Sequence, residues 1–188
     1  MPPISELLRL LPIGVLIWLM IGAGFIFRPD VGRRDPRGYG IVLTLWITLA
    51  ANRNGTTPPL VVSALGGVGL LLALTLYHWA AFSIRGRVFS YAGNDDLPQF
   101  VHTTGPYAYI RNPFYASYLL VEISMIVMAP SLWGAAAIVA ATAYFQWLAR
   151  FEEGKFARSP VAAEYHSYTL RTGRLLPKVF LRRSDSPF

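Results

Sequence analysis

The chain has 188 residues, of which 54% are apolar and only 14% charged, against roughly a quarter charged in an ordinary soluble domain. It has no cysteine, which excludes a disulfide framework, a thiolate nucleophile and a zinc–cysteine centre; its three histidines (His78, His102, His166) are far apart in sequence, which argues against a histidine-rich metal site. The net charge of +7 sits in residues that flank apolar runs, not in a patch interleaved with aromatics, so it points to a membrane and away from nucleic acid.

The first residues lack a basic n-region and no small-residue cleavage site follows, so no secretory signal peptide is expected. Residues 10–27 form an uncharged run of 18, long enough to cross about 30 Å of hydrocarbon. Arg28, Arg33, Arg34 and Arg37, mixed with Pro29, Asp30, Asp35 and Pro36, read as a polar loop. Residues 38–52 give a shorter run of 15 around Trp46, a marginal span that is tilted or partly inserted. Asn52-Arg53-Asn54-Gly55 and Pro58-Pro59 mark a turn. Residues 60–84 then offer 25 positions without a formal charge, with Gly66, Gly67 and Gly69 allowing close helix approach and His78 read as a packing residue.

Residues 85–100 are polar (Arg85, Arg87, Asn94, Asp95, Asp96, Pro98, Gln99) and predict a loop or interfacial segment. Residues 112–149 carry one charge, Glu122, in 38 positions. A single helix of that length would run about 57 Å, nearly twice the hydrocarbon core. Pro130-Ser131 near the middle predicts a hairpin of two helices instead. From Arg150 the chain turns polar and basic. With the loop after the first span cytoplasmic, fifteen Arg and Lys fall on that side and two (Arg9, Arg53) on the other. The expected fold is an all-α integral membrane protein of about five transmembrane helices, N-terminus outside and C-terminus cytoplasmic. Residues 1–84 carry three spans, and residues 85–188 form a core of loop, helical hairpin and polar tail.

The loop before the hairpin holds the chemistry. Gly105-Pro106 punctuates the chain, and Pro113 suits the first turn of a helix, where its missing N–H costs nothing. Residue 112 is pushed toward an extended conformation, so a helix is predicted to begin at Pro113. Its N-terminus, with the planar fork of Arg111 beside it, is suited to an anionic group such as a carboxylate. Glu122 is costly inside a span and is expected to face a cavity or a polar partner. It lies seven residues after Tyr115 and four after Tyr118, on one helical face.

The string TTGPYAYIRNPFY, a helical hairpin, Glu152-Glu153 and then EYHSYTLRTGRLLP follow one another over residues 89–177. In that order they resemble the isoprenylcysteine carboxyl methyltransferase family, integral membrane methyltransferases whose relatives include phospholipid N-methyltransferases. The resemblance implies S-adenosylmethionine as methyl donor, held in a cytosolic-side pocket, and a lipid-like acceptor entering from the bilayer. It carries cofactor binding onto Gln99, Val101, His102, Tyr107, Asn112, Pro113, Tyr115 and Glu152; Gly105, Arg111 and Glu153 join them as candidate cofactor-binding residues by their position and chemistry. Two residues depart from the family pattern: Asn112 stands where the family usually has histidine, which excludes a titrating base there, and Ser117 stands where glycine is expected.

The physical roles expected of these residues follow from the donor's amino-acid end. Glu152 or Glu153 would pair with its ammonium, and Arg111 with the N–H groups near Pro113 would hold its carboxylate. Catalysis is assigned to Arg111, Glu122 and Arg171, and acceptor binding to Glu122, Tyr118, Arg150 and Arg171; no metal is expected. A carboxylate acceptor, as in a prenylcysteine-like substrate, needs only a cation to hold it, whereas an amine acceptor needs a proton removed, and there Glu122 enters. Besides phospholipid N-methylation, two other readings stay open: a nicotinamide-dependent sterol-type reductase, against which Phe114 and the Glu152-Glu153 pair argue, and a non-catalytic membrane scaffold.

Overall fold

The computed structural model describes residues 4, 10–26, 36–53, 55–85 and 97–178. Among the described residues six α-helices follow in order: α1 (Leu11–Ile26), α2 (Pro36–Asn52), α3 (Leu60–Ser83), α4 (Pro113–Met128), α5 (Leu132–Phe156) and α6 (Ala162–Arg171). A 3-10 turn, Gly105–Ala108, precedes α4. Among the described residues there is no strand, only an isolated parallel bridge between Ile110 and Gly173. The expected helical hairpin is present as α4 and α5, joined at Pro130-Ser131. Helices α3 (24 residues) and α5 (25 residues) are each long and apolar enough to cross a membrane, while α1, α2 and α4 are shorter apolar helices. Of the arginines that set the expected orientation, Arg9, Arg28, Arg33, Arg34, Arg87, Arg182 and Arg183 lie outside the described residues, as does the side chain of Arg37.

Helix α3 shows how the bundle is held. Its buried residues, Ser63, Gly66, Leu70, Ala73, Tyr77 and Ala80, recur at three- and four-residue steps and form one stripe of mostly small side chains. Val61, Leu65, Val68, Leu71 and Leu72 are exposed on its other faces. An apolar helix that turns large aliphatic side chains outward and small ones inward is built for a lipid surround, where close backbone approach replaces hydrophobic collapse as the driving force. Helix α4 lies on that stripe. A Cβ added at Gly66 would stand 2.3 Å from Met128 Cγ, and one at Gly69 would stand 2.3 Å from Ser124 Oγ. Helix α4 is consequently the central helix, burying residues on several sides, from Pro113 and Phe114 to Met128.

Aromatic rings fill the bundle toward the α4 N-terminus. Tyr77, fully buried, meets Phe114 edge-on with ring centroids 5.2 Å apart and donates to Leu19 O at 3.3 Å, which ties α1 to α3. Phe145 of α5 stacks on Tyr115 and Tyr118 at 5.6 and 6.1 Å. His78, read above as a packing residue, accepts from Trp18 Nε1 at 2.9 Å and so joins α1 to α3 as well. At the opposite end Ser131 Oγ accepts from Gly134 N at 2.8 Å, capping α5, and donates to Ala51 O at 3.0 Å, holding the hairpin turn against the end of α2. Thr56 N donates to Pro130 O at 3.0 Å and closes the same joint.

The packing stripe gives a paired test. Gly66→Ala inserts a methyl into Met128 and should lower stability by about 1–3 kcal/mol. Gly67→Ala, with nothing within 4 Å of the added carbon, should be neutral or slightly stabilising. Thermal unfolding of the two variants in the same detergent measures the difference.

Candidate functional site

The site is assembled from three parts of the chain that meet at the N-terminus of α4. The first is the turn before it. Gly105 has φ +62°, in the left-handed region, and a Cβ there would lie 2.6 Å from Ser83 Cβ, so only glycine lets the turn close on the end of α3. Beside it, exposed Tyr109 lies against Trp79 of α3, ring centroids 6.2 Å apart. Within the turn Tyr107 is buried and meets His102 edge-on at 4.8 Å. Loss of solvent pushes the Tyr107 phenol above its ordinary range, so it stays a neutral hydroxyl.

The second part is the last turns of α5, which bring Glu152 and Glu153. The third is the segment after α6, which returns beside the Arg111 stretch. Arg111 N donates to Gly173 O at 2.8 Å, Asn112 N donates to Arg174 O at 3.1 Å, and Gly173 N donates to Tyr109 O at 3.2 Å. Tyr168 of α6 donates its hydroxyl to Tyr107 O at 2.6 Å; burial pushes this phenol up to about 12, and it remains a donor at neutral pH.

Charge binds the three parts together. Arg111 Nε donates to Glu153 Oε1 at 2.9 Å, and Arg111 Nη1 donates to Thr169 O at 3.4 Å and to Thr172 O. Arg174 approaches the same carboxylate from the other side, Nε to Oε1 at 3.0 Å and Nη2 to Oε2 at 2.7 Å. Its hydrogen bond to Glu153 raises the guanidinium pKa further, and Nη1 donates to Gln146 Oε1 at 3.3 Å. Glu153 therefore bridges two guanidinium groups. The side chains of Arg111 and Glu153 are only 10% and 16% exposed, so screening by water is limited.

The two adjacent glutamates thus have different partners. Glu152 accepts from Tyr115 OH at 2.9 Å, on the helix that begins at Pro113. Asn112 stands at the N-cap of α4 without a side-chain capping bond, and its Nδ2 donates instead to Arg174 O at 3.3 Å.

The structure brings together Gly105, Tyr107, Arg111, Asn112, Pro113, Tyr115, Glu152 and Glu153. Val101 packs with Tyr165 and Tyr168, and His102 lies 3.2 Å from Thr104 Oγ1. Exposed Gln99 makes a local bond to Leu97 O at 3.1 Å. Tyr118 is buried against Tyr77 and Phe145. Arg150 and Arg171 are exposed. Glu122 is fully buried two turns along α4. Its Oε2 accepts from Thr48 Oγ1 of α2 at 3.1 Å, and its Oε1 is buried without a hydrogen-bond partner. Gln146 and Thr48 were not singled out by sequence reasoning, and Arg174 was given no place in the site, only the basic character of the tail pointing to it. No group of His, Asp and Glu able to hold a metal occurs among the described residues.

Among the described residues, apolar helices deliver acid, guanidinium and phenol groups to one end of an all-helical bundle. The chain belongs to the phospholipid methyltransferase family, whose model matches residues 62–159, and it is therefore a member of a family of integral membrane methyltransferases. No curated protein and no solved structure matches it. The matched stretch takes in α3, the Gly105 turn, α4 and α5 with both glutamates; α1, α2 and α6 lie outside it.

Because Glu153 is spent on two arginines, removing its charge should cost more stability than removing that of Glu152. Glu153→Gln leaves two guanidinium groups facing each other and should cost about 2–3 kcal/mol. Hydrogen exchange over residues 162–175 should then rise, while Glu152→Gln leaves it near the parent level.

Proposed function

We propose that the protein transfers a methyl group from S-adenosylmethionine to a lipid-like acceptor embedded in the membrane. The observation that carries this reading is the pairing of Glu152 with Tyr115 at the start of α4, inside the stretch matched by the family model. The donor set suits the cofactor. Its ammonium needs a carboxylate, which Glu152 supplies; its carboxylate needs amide donors and positive potential, which the first turn of α4 supplies. Arg111 acts at one remove. Its Nε and Nη1 are turned to Glu153, Thr169 and Thr172, so it holds the tail and the α4 N-terminus in place and adds positive potential there. When bound, S-adenosylmethionine supplies a methyl carbon activated by its sulfonium. The chain's own residues orient and enclose: Tyr115, stacked on Phe145, and Tyr107, edge-on to His102, supply aromatic surface, and the turn and tail would exclude water.

The proposed topology has five spans, α1 to α5, with the site and the C-terminus on the cytoplasmic face, as the distribution of arginines supports. For the acceptor, the family description favours the amine of a phospholipid head group over the carboxylate of a prenylcysteine-like substrate. Glu122 gives this a physical basis, because its buried Oε1 can take a proton or a hydrogen bond from an amine reaching down α4.

Two measurements test the reading. Calorimetry on detergent-purified protein should show binding of S-adenosylmethionine and S-adenosylhomocysteine, weakened about tenfold or more by Glu152→Gln through loss of a charged hydrogen bond. Binding of NADPH in their place would overturn the assignment in favour of a reductase. Glu122→Gln should leave cofactor affinity unchanged and abolish methylation of phosphatidylethanolamine; if methylation of a farnesylcysteine is what falls, the amine reading fails.

A further inference from the structure

Helix α6 presents a surface that the methyl-transfer reading does not use. Its inner face is set by Tyr165 and Tyr168, both buried, with Thr172 following on the same side. At about 100° per residue, Leu170 stands about 140° round the helix from Tyr165, on the side turned away from the protein. A soluble helix would carry a polar residue there. Leu170 is instead 64% exposed, and so is Leu176 in the returning segment. The two are held on one rim. Lys178 Nζ donates to Thr169 O at 2.9 Å and to Leu170 O at 2.8 Å, folding residues 173–178 back onto the helix. A Cβ at Gly173 would lie 1.7 Å from Leu176 O, so the turn between them is tight. The rim thus joins two leucines to Lys178 and to exposed Arg171.

The level of this rim is fixed by its neighbours. The segment after α6 pairs with Tyr109 and Arg111, and Tyr109 packs on Trp79 of α3. Tyr109, Trp79 and Trp147 of α5 are all exposed. Exposed Trp and Tyr at one end of apolar helices mark the depth of lipid head groups. An apolar pair flanked by cations at that depth matches the chemistry of an acidic leaflet, with apolar tips among the acyl-chain origins and cations on phosphates.

We propose that Leu170 and Leu176, flanked by Arg171 and Lys178, form a membrane-surface contact that seats α6 on the anionic head groups of the leaflet nearest the site. The inference requires α3 and α5 to span the bilayer but does not depend on methyltransferase activity, so the two can fail separately. The absence of cysteine makes the test direct, because Leu170→Cys, Leu176→Cys and Glu164→Cys each give a unique labelling site on an exposed position. Full-length protein labelled with a nitrobenzoxadiazole fluorophore is reconstituted into phosphatidylcholine vesicles with or without phosphatidylglycerol, each containing head-group-proximal spin-labelled lipid. Quenching should be several-fold stronger at positions 170 and 176 than at 164. It should also fall when phosphatidylglycerol is omitted or when 1 M salt shortens the screening length to about 3 Å. Equal quenching at the three positions, as expected if protein or water covers the rim, overturns the proposal; so does quenching indifferent to phosphatidylglycerol.

Discussion

The site end of the molecule depends on one carboxylate. Glu153 accepts from Arg111 on one side and Arg174 on the other, and the two arginines belong to segments that share a backbone bridge. A single ion pair at a surface contributes little, since water and salt screen it and two long side chains must be ordered. Here the carboxylate is mostly enclosed, both of its oxygens are used, and the backbone bonds around Gly173 hold the guanidinium groups in position beforehand. Burial makes the arrangement conditional: with all three charges present it closes, and with one missing the remaining charges lose most of their compensation. The start of α4, the ends of α5 and α6 and the returning tail therefore share one point of support.

Much of the architecture was legible in the sequence because it rests on hydrophobic length and on residues with restricted backbones. Pro130-Ser131 divides an apolar stretch that is too long for one span, and the chain turns there. Pro113 and the residue before it mark a helix start, and α4 begins at Pro113. Gly105 predicts a turn, and the turn needs its positive φ. These signals are local, so a sequence displays them.

The division of labour between Glu152 and Glu153 was not legible. As neighbours with the same side chain they are equivalent on paper. What separates them is about 100° of helical rotation, which turns one toward Tyr115 and the other toward two arginines. Glu153 is 42 residues from Arg111 and 21 from Arg174, and no periodicity reports such a meeting. For the same reason the sequence shows Arg111 beside a helix N-terminus but not that its guanidinium reaches Glu153 and the carbonyls of Thr169 and Thr172. Glu122 was visible as an anomaly, a charge within an apolar run, but its partner Thr48 was not, because a threonine in an apolar helix is unremarkable until its neighbour is known.

The joint at the far end of the bundle has a mechanical consequence. There Ser131 caps its own helix while holding the end of α2, and Thr56 is bonded to Pro130, so four chain segments are riveted within a few residues. Further along the same pair of helices Gly40 of α2 lies directly against the Tyr144 ring of α5, where an added Cβ would stand 2.2 Å from the hydroxyl. Joined at the turn and in contact again twelve residues further along each helix, α2 and α5 bear on one another over about 18 Å at a rise of about 1.5 Å per residue. Separating the two helices is therefore resisted along that length, and among the residues so held is Thr48, which donates to Glu122.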